Sequence, residues 1–126
     1  MRAVDTNVLL RLVMRDGEGQ FAAAAEFVAR GAWASHIVLA EVMWVLRSVY
    51  GKEHGEVADA VDILLNHADV TLQEPDVVAA ALDQYRRKPS LGFSDCLILE
   101  IARKAGHLPL GTFDRYLGKL PGAHRL

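Results

Sequence analysis

The sequence predicts an α/β fold with a mainly parallel sheet and helices on both faces. Three observations point there. Short strand-like segments at 2–5, 32–35, 69–72 and 108–110 are separated by longer segments with apolar residues at helical spacing. Helix-starting residues (Asp, Ser, Pro) and helix-ending glycines fall between those segments. The chain has 126 residues, 52% of them apolar, which suits one domain over 1–126 with a substantial core. A strand–helix alternation of this kind favours parallel strands, and function then collects at their carboxyl ends.

The elements follow in order. Residues 2–5 read as a short buried strand ending at Asp5. Asp5, Thr6 and Asn7 are N-cap types, so a helix starts there and runs to about Arg15. Asp16-Gly17 reads as a turn. A second helix spans roughly Gly19 to Arg30, with Phe21, Ala24, Ala25 and Val28 on its apolar face, and Gly31 ends it. After the strand at 32–35, a strongly apolar helix runs from Ile37 to Tyr50 and stops at Gly51. The next helix starts near Glu53, with Val57, Val61, Leu64 and Leu65 at helical spacing.

The strand at 69–72 is followed by Pro75, which fits a first helical turn because its missing N–H has no partner there anyway. Val78, Ala81, Leu82 and Tyr85 form that helix's apolar face, and Lys88-Pro89 closes it. Ser94 or Asp95 caps a helix to Ala105 that buries Leu97, Ile98, Ile101 and Ala102, and Gly106 ends it. A strand at 108–110 precedes Gly111-Thr112-Phe113-Asp114. The tail AHRL is expected to add a last strand.

The formal net charge is −2 and the pI about 6.2, so there is no basic footprint for nucleic acid. The single cysteine, Cys96, cannot form an internal disulfide and suits a reducing compartment. The opening MRAVDTNVLLRLVMRDG is not a signal peptide, and no apolar run reaches transmembrane length. A soluble cytoplasmic protein without membrane association is expected.

The chemistry centres on four acids: Asp5, Glu41, Asp95 and Asp114. A half-buried carboxylate needs a cation or hydrogen bonds. If the fold gathers all four, they repel until a divalent metal neutralises them. Each also has a plain structural reading. Asp5 is a favoured N-cap, Asp95 an acid at the positive end of a helix dipole, and Asp114 another cap. Glu41 is the most telling. It is the only charge in IVLAEVMWVL, and its neighbours at three and four positions, Ile37, Val38, Trp44 and Val45, cannot pair with it. Its structural reading is a glutamate on one narrow exposed strip.

VDTN at 4–7, Glu41 in its apolar helix, GFSD at 92–95 and GTFD at 111–114 together resemble the PIN-domain family, and within it the VapC-type toxins. The likeness covers the whole chain. It implies a three-layer α/β/α sandwich and an Mg²⁺- or Mn²⁺-dependent endoribonuclease. Asp5, Glu41, Asp95 and Asp114 fall on the family's acidic quartet. Thr6, Asn7, Ser94 and Thr112 are the residues expected to hold the acids or a water at the metal. Proteins of this type act as the toxin of a type II toxin–antitoxin pair, dimerise, and are blocked by a small antitoxin. Members often carry another acid shortly after TFD. Arg115 and Tyr116 stand there here.

Carboxylates holding Mg²⁺ or Mn²⁺ suit phosphodiester hydrolysis. Asp5, Asp95 and Asp114 are assigned as metal ligands, with Glu41 either a ligand or the group that orients the attacking water. Zinc chemistry is disfavoured, because the five histidines are scattered without ligand spacing. No phosphate-binding glycine loop is present, since GEG at 17–19 lacks a following lysine. Among the basic residues, Arg11 and Arg15, four apart near the proposed site, are favoured for RNA phosphates. Two alternatives stand beside this reading. One is a metal-dependent phosphatase on a small substrate, disfavoured because Asp5 is followed two residues later by Asn7 and not by a second aspartate. The other is a catalytically silent interaction module.

Overall fold

The structure, a computed structural model, describes residues 1–15, 17 and 19–126. The expected turn at Asp16 lies outside them. Strands β1 (Arg2–Ala3), β2 (Ala32–Ala34), β3 (Val70–Leu72), β4 (Leu110–Thr112) and β5 (Ala123–Arg125) alternate with helices. The helices are α1 (Thr6–Met14), α2 (Gln20–Val28), α3 (His36–Ser48), α4 (His54–Leu65), α5 (Pro75–Arg87) and α6 (Phe93–Ala105), and a 3-10 turn occupies Leu117–Lys119. This is the α/β class expected.

Every strand pairing is parallel. β1 pairs with β2 (Arg2 opposite Ala32), and β2 with β3 (Ala32 opposite Val70). β4 pairs with β5 in a separate two-stranded ladder, Leu110 opposite Ala123. The sheet is thus divided into two hydrogen-bonded groups. Strands this short cannot carry the fold alone. The core is instead a cluster of helical side chains, among them Leu9, Leu39, Leu46, Val61, Leu64, Val78 and Leu99, closed by Val4, Ala34, Leu72 and Leu120.

Local chemistry sets the helix ends. Ser35 Oγ accepts from the Val38 N–H at 3.2 Å and starts α3. Pro75 opens α5, and Gly106 ends α6 in the left-handed region at φ 83°. At the head of α5, Glu74 sits at φ 40°, a conformation that costs a non-glycine residue. Its carboxylate meets Lys104 Nζ of α6 at 3.1 Å, and the same ammonium reaches Asp76 at 2.8 Å.

Several expectations are corrected. β1 is not buried: Arg2 and Ala3 are exposed, and burial begins at Val4. The fourth strand lies two residues later than expected, because the Leu108-Pro109 segment stays outside the ladder and Pro109 has no N–H to donate. Neither Ser94 nor Asp95 caps α6, since Gly92 holds that position. Ile98 is 50% exposed while Cys96, Leu99 and Glu100 are buried, so the inward face of α6 is rotated from the expected one. Glu100 bonds Arg103 at 3.1 Å, and Arg103 donates to the Pro121 carbonyl at 2.6 Å, which ties the β4–β5 unit to α6.

The rotated face can be tested by urea denaturation. Leu99→Ala is expected to cost about 2–5 kcal/mol of stability. Ile98→Ala is expected to stay within about 0.5 kcal/mol of the parent. Comparable losses for the two would refute the assignment.

Candidate metal-dependent active site

Asp5 follows the first strand and caps α1. Its Oδ1 accepts from the Val8 N–H at 3.3 Å. The side chain is exposed and borders a cleft between α1 and α2 that is lined also by Asn7, Val8, Arg11 and Phe27. Thr6, next to Asp5, is half-buried. Of the two arginines favoured for RNA, only Arg11 borders this cleft. It also donates to the Tyr50 hydroxyl at 3.3 Å. Arg15 leaves the helix in the left-handed region at φ 54°, and its guanidinium lies 5.3 Å from the Phe21 ring centre, in a different depression with His67 and Asp69. The two do not share one helix face.

Asp95 is the third residue of α6, counted from the Gly92 cap, and is half-buried. Its carboxyl is held above the usual range. Burial is the main cause, the negative charge of Asp114 adds to it, and a hydrogen bond from the Gly92 backbone opposes both. The backbone of Gly92 thus takes part in shaping this acid. An acid three residues past a cap is the only hint of it in the sequence.

Asp114 follows β4. Its own N–H donates to Thr112 Oγ1 at 3.0 Å, and its Oδ1 accepts from the Tyr116 and Leu117 N–H groups, both at 2.8 Å. The 3-10 turn beyond it packs tightly on β5: a Cβ on Gly118 would come within 2.7 Å of Arg125 Cβ. Thr112 and the turn therefore fix where Asp114 stands. Glu41 is exposed on the outer face of α3, between Ile37 and Trp44, which are exposed too. The exposed strip thus mixes apolar and polar side chains, with Arg47 and Ser48 at its end.

The structure thus couples Asp95 to Asp114. It sets Asp5 beside the α1–α2 cleft and Glu41 on the face of α3. Among the described residues, none of these four acids is in an ion pair, and no three His, Cys, Asp or Glu side chains converge tightly enough to cage a metal. A divalent cation suits the donors all the same. They are hard carboxylate oxygens, and the Asp95–Asp114 repulsion is the kind a cation relieves. Mg²⁺ commonly takes only one or two carboxylates, keeping waters and substrate phosphates as its other ligands.

The PIN domain model matches residues 2–123. The chain belongs to the PIN-domain family. PIN domains are generally metal-dependent nucleases, which places the chain coarsely among the hydrolases and makes a divalent ion the family's usual cofactor. No curated protein and no solved structure matches it. As a PIN domain the chain shows no helix, among the described residues, long and apolar enough to cross a membrane.

The raised carboxyl of Asp95 carries a stability consequence. A folded-state pKa above the unfolded value contributes stability that is complete below the unfolded pKa and is lost as pH rises through the folded one. In EDTA, Asp95→Asn is expected to flatten that loss and to melt no lower than the parent at neutral pH. The helix-dipole benefit of the acid opposes this by about 0.3–1 kcal/mol. Added Mg²⁺ is expected to raise the parent's melting temperature more than the variant's. Equal metal-induced shifts would make Asp95 a plain helix residue.

Proposed function

We propose that this PIN domain is a VapC-type toxin: an Mg²⁺- or Mn²⁺-dependent endoribonuclease held in check by a cognate antitoxin. The reading is carried by the PIN-domain match together with Asp95 and Asp114, two carboxylates in one another's field, neither in an ion pair among the described residues. A purely structural pair would be expected to carry a compensating lysine or arginine.

Asp5, Asp95 and Asp114 are the proposed ligands. When bound, the divalent ion supplies charge relief at the phosphodiester and a nucleophile usable at neutral pH. Glu41 serves as a further ligand or orients the attacking water. Its exposed position on α3 leaves it open to a long substrate. The bonds to Asp5 and Asp114 fix Oδ1 of each, which orients the carboxylates before any ligand arrives. Thr6, Asn7, Ser94 and Thr112 support these acids. Arg11 is the better placed of the two arginines for phosphate contact, because it borders the same cleft as Asp5.

The proposed partners are single RNA strands, a small antitoxin and a second copy of the chain. Exposed apolar side chains on α3 and α6, Ile37 and Ile98, support a protein contact of this kind. A strictly monomeric mass by light scattering at micromolar concentration would count against the dimer.

RNA cleavage is expected with Mg²⁺ or Mn²⁺ and is expected to vanish in excess EDTA. Glu41→Gln, nearly isosteric, is expected to lower kcat by about 100-fold or more while leaving the melting curve unchanged, within the range of losses seen when a positioned acid–base group is removed. Full activity in EDTA would sink the metal-dependent reading, and near-parental turnover would reduce Glu41 to a surface residue.

A further inference from the structure

A cavity of about 240 Å³ opens between α3 and the segment that leads into α6. Ala40, Met43, Trp44 and Arg47 line it from α3, Tyr85 from α5, and residues 89–94 close the other side. It lies below the ~300–1,000 Å³ of pockets that take drug-sized ligands, which suits a fragment. Two features set it apart from the other depressions. Its α3 wall runs past Ala40, the residue before Glu41, and its opposite wall ends at Ser94, the residue before Asp95. It therefore adjoins the chain segments that carry two of the proposed catalytic acids, neither of which lines it. Its rim also carries an indole ring that the core does not use: Trp44 is 64% exposed although it lies on a helix packed into the protein.

We propose that this cavity is a nucleobase subsite for single-stranded RNA, with Trp44 as the stacking surface and Arg47 as the cation for the adjoining phosphodiester. The inference rests on the ribonuclease reading and adds where a base beside the scissile bond is held. Flat apolar walls with a few polar groups suit an unstacked base, which an aromatic side chain holds through its π-face. Arg47 is exposed in the last turn of α3, and its charge is felt at the Tyr85 hydroxyl within the cavity wall. That cation distinguishes the cavity from a socket for an apolar side chain. Ring contacts back the lining: Tyr85 is stacked on His54 with ring centres 3.9 Å apart and meets Phe93 edge-on at 5.8 Å.

The test uses Trp44 as its own reporter. The chain has two tryptophans, so Trp33→Phe leaves Trp44 as the single emitter. In EDTA, titration with adenosine and uridine 5′-monophosphates is expected to change its emission saturably, and titration with ribose 5-phosphate is not. On a short single-stranded RNA with metal, Trp44→Ala is expected to raise KM about 10-fold with kcat little changed, the scale of one base–aromatic stack. Trp44→Phe is expected to recover most of that loss. Because Trp44 is exposed, neither variant should disturb folding, and unchanged melting curves verify it. Emission indifferent to every nucleotide would overturn the subsite and leave the cavity to an apolar side chain of a protein partner. A parental KM in Trp44→Ala would overturn it as well. If the parent cuts no RNA at all, the ribonuclease reading fails, while the fluorescence titration still decides whether a base binds.

Discussion

Tyr85 fixes where α6 begins, and much of the candidate site follows from that. It is 1% exposed, stacked on His54 at the start of α4 and set edge-on against Phe93. Phe93 is the first residue of α6, so three helices meet through one phenol ring. Aromatic contacts of this type add about 0.5–1.5 kcal/mol beyond the area they bury. More important here is geometry. With Phe93 held, Ser94 faces the cavity and Asp95 follows one residue later. Burial raises the Tyr85 hydroxyl above its ordinary range and the charge of Arg47 opposes the shift, so the phenol stays a neutral wall.

The acids show that capping and chemistry need not compete for a residue. Asp5 and Asp114 each use Oδ1 to accept backbone N–H groups, two of them in the case of Asp114. Such bonds orient a carboxylate without neutralising it. Asp95 differs. It is half-buried and near the charge of Asp114, and its carboxyl is raised from the ordinary value, against a hydrogen bond from the Gly92 backbone. Residues that lower stability where they stand are the usual mark of a functional site. The cysteine next to it carries no such mark: Cys96 is fully buried and its thiol is pushed up to about 12, chiefly by burial, so it is inert as a nucleophile.

The order of strands and helices could be read from the chain because its punctuation is strong. Asp5, Pro75 and Gly106 all stand at element ends, as read. Side-chain facing was less legible. The apolar residues Ile37, Trp44 and Ile98 fit a helical core pattern yet face outward, because periodicity cannot tell a side chain meant for the core from one left on the surface. Glu41 shows the same limit. Its isolation in an apolar helix suggested a narrow polar strip; the strip is narrow, but Ile37 and Trp44 share it with Glu41 and Ser48. Arg15 was misplaced for a different reason: helix ends are set by backbone conformation, and a non-glycine residue in the left-handed region leaves no sequence signal. The link between Asp95 and Asp114, nineteen positions apart in sequence, is purely tertiary.

That link also bears on how the two parts of the sheet are held. β4 and β5 form their own ladder, joined to the helices through Arg103 and the Pro121 carbonyl. Asp95 belongs to α6, while Asp114 belongs to the turn after β4. The charge of Asp114 is thus felt at Asp95 across this joint. On the proposed reading, a divalent ion held by these acids would relieve their mutual repulsion. Asp114 is itself set by the turn that follows it, where only a glycine at 118 leaves room for Arg125 of β5.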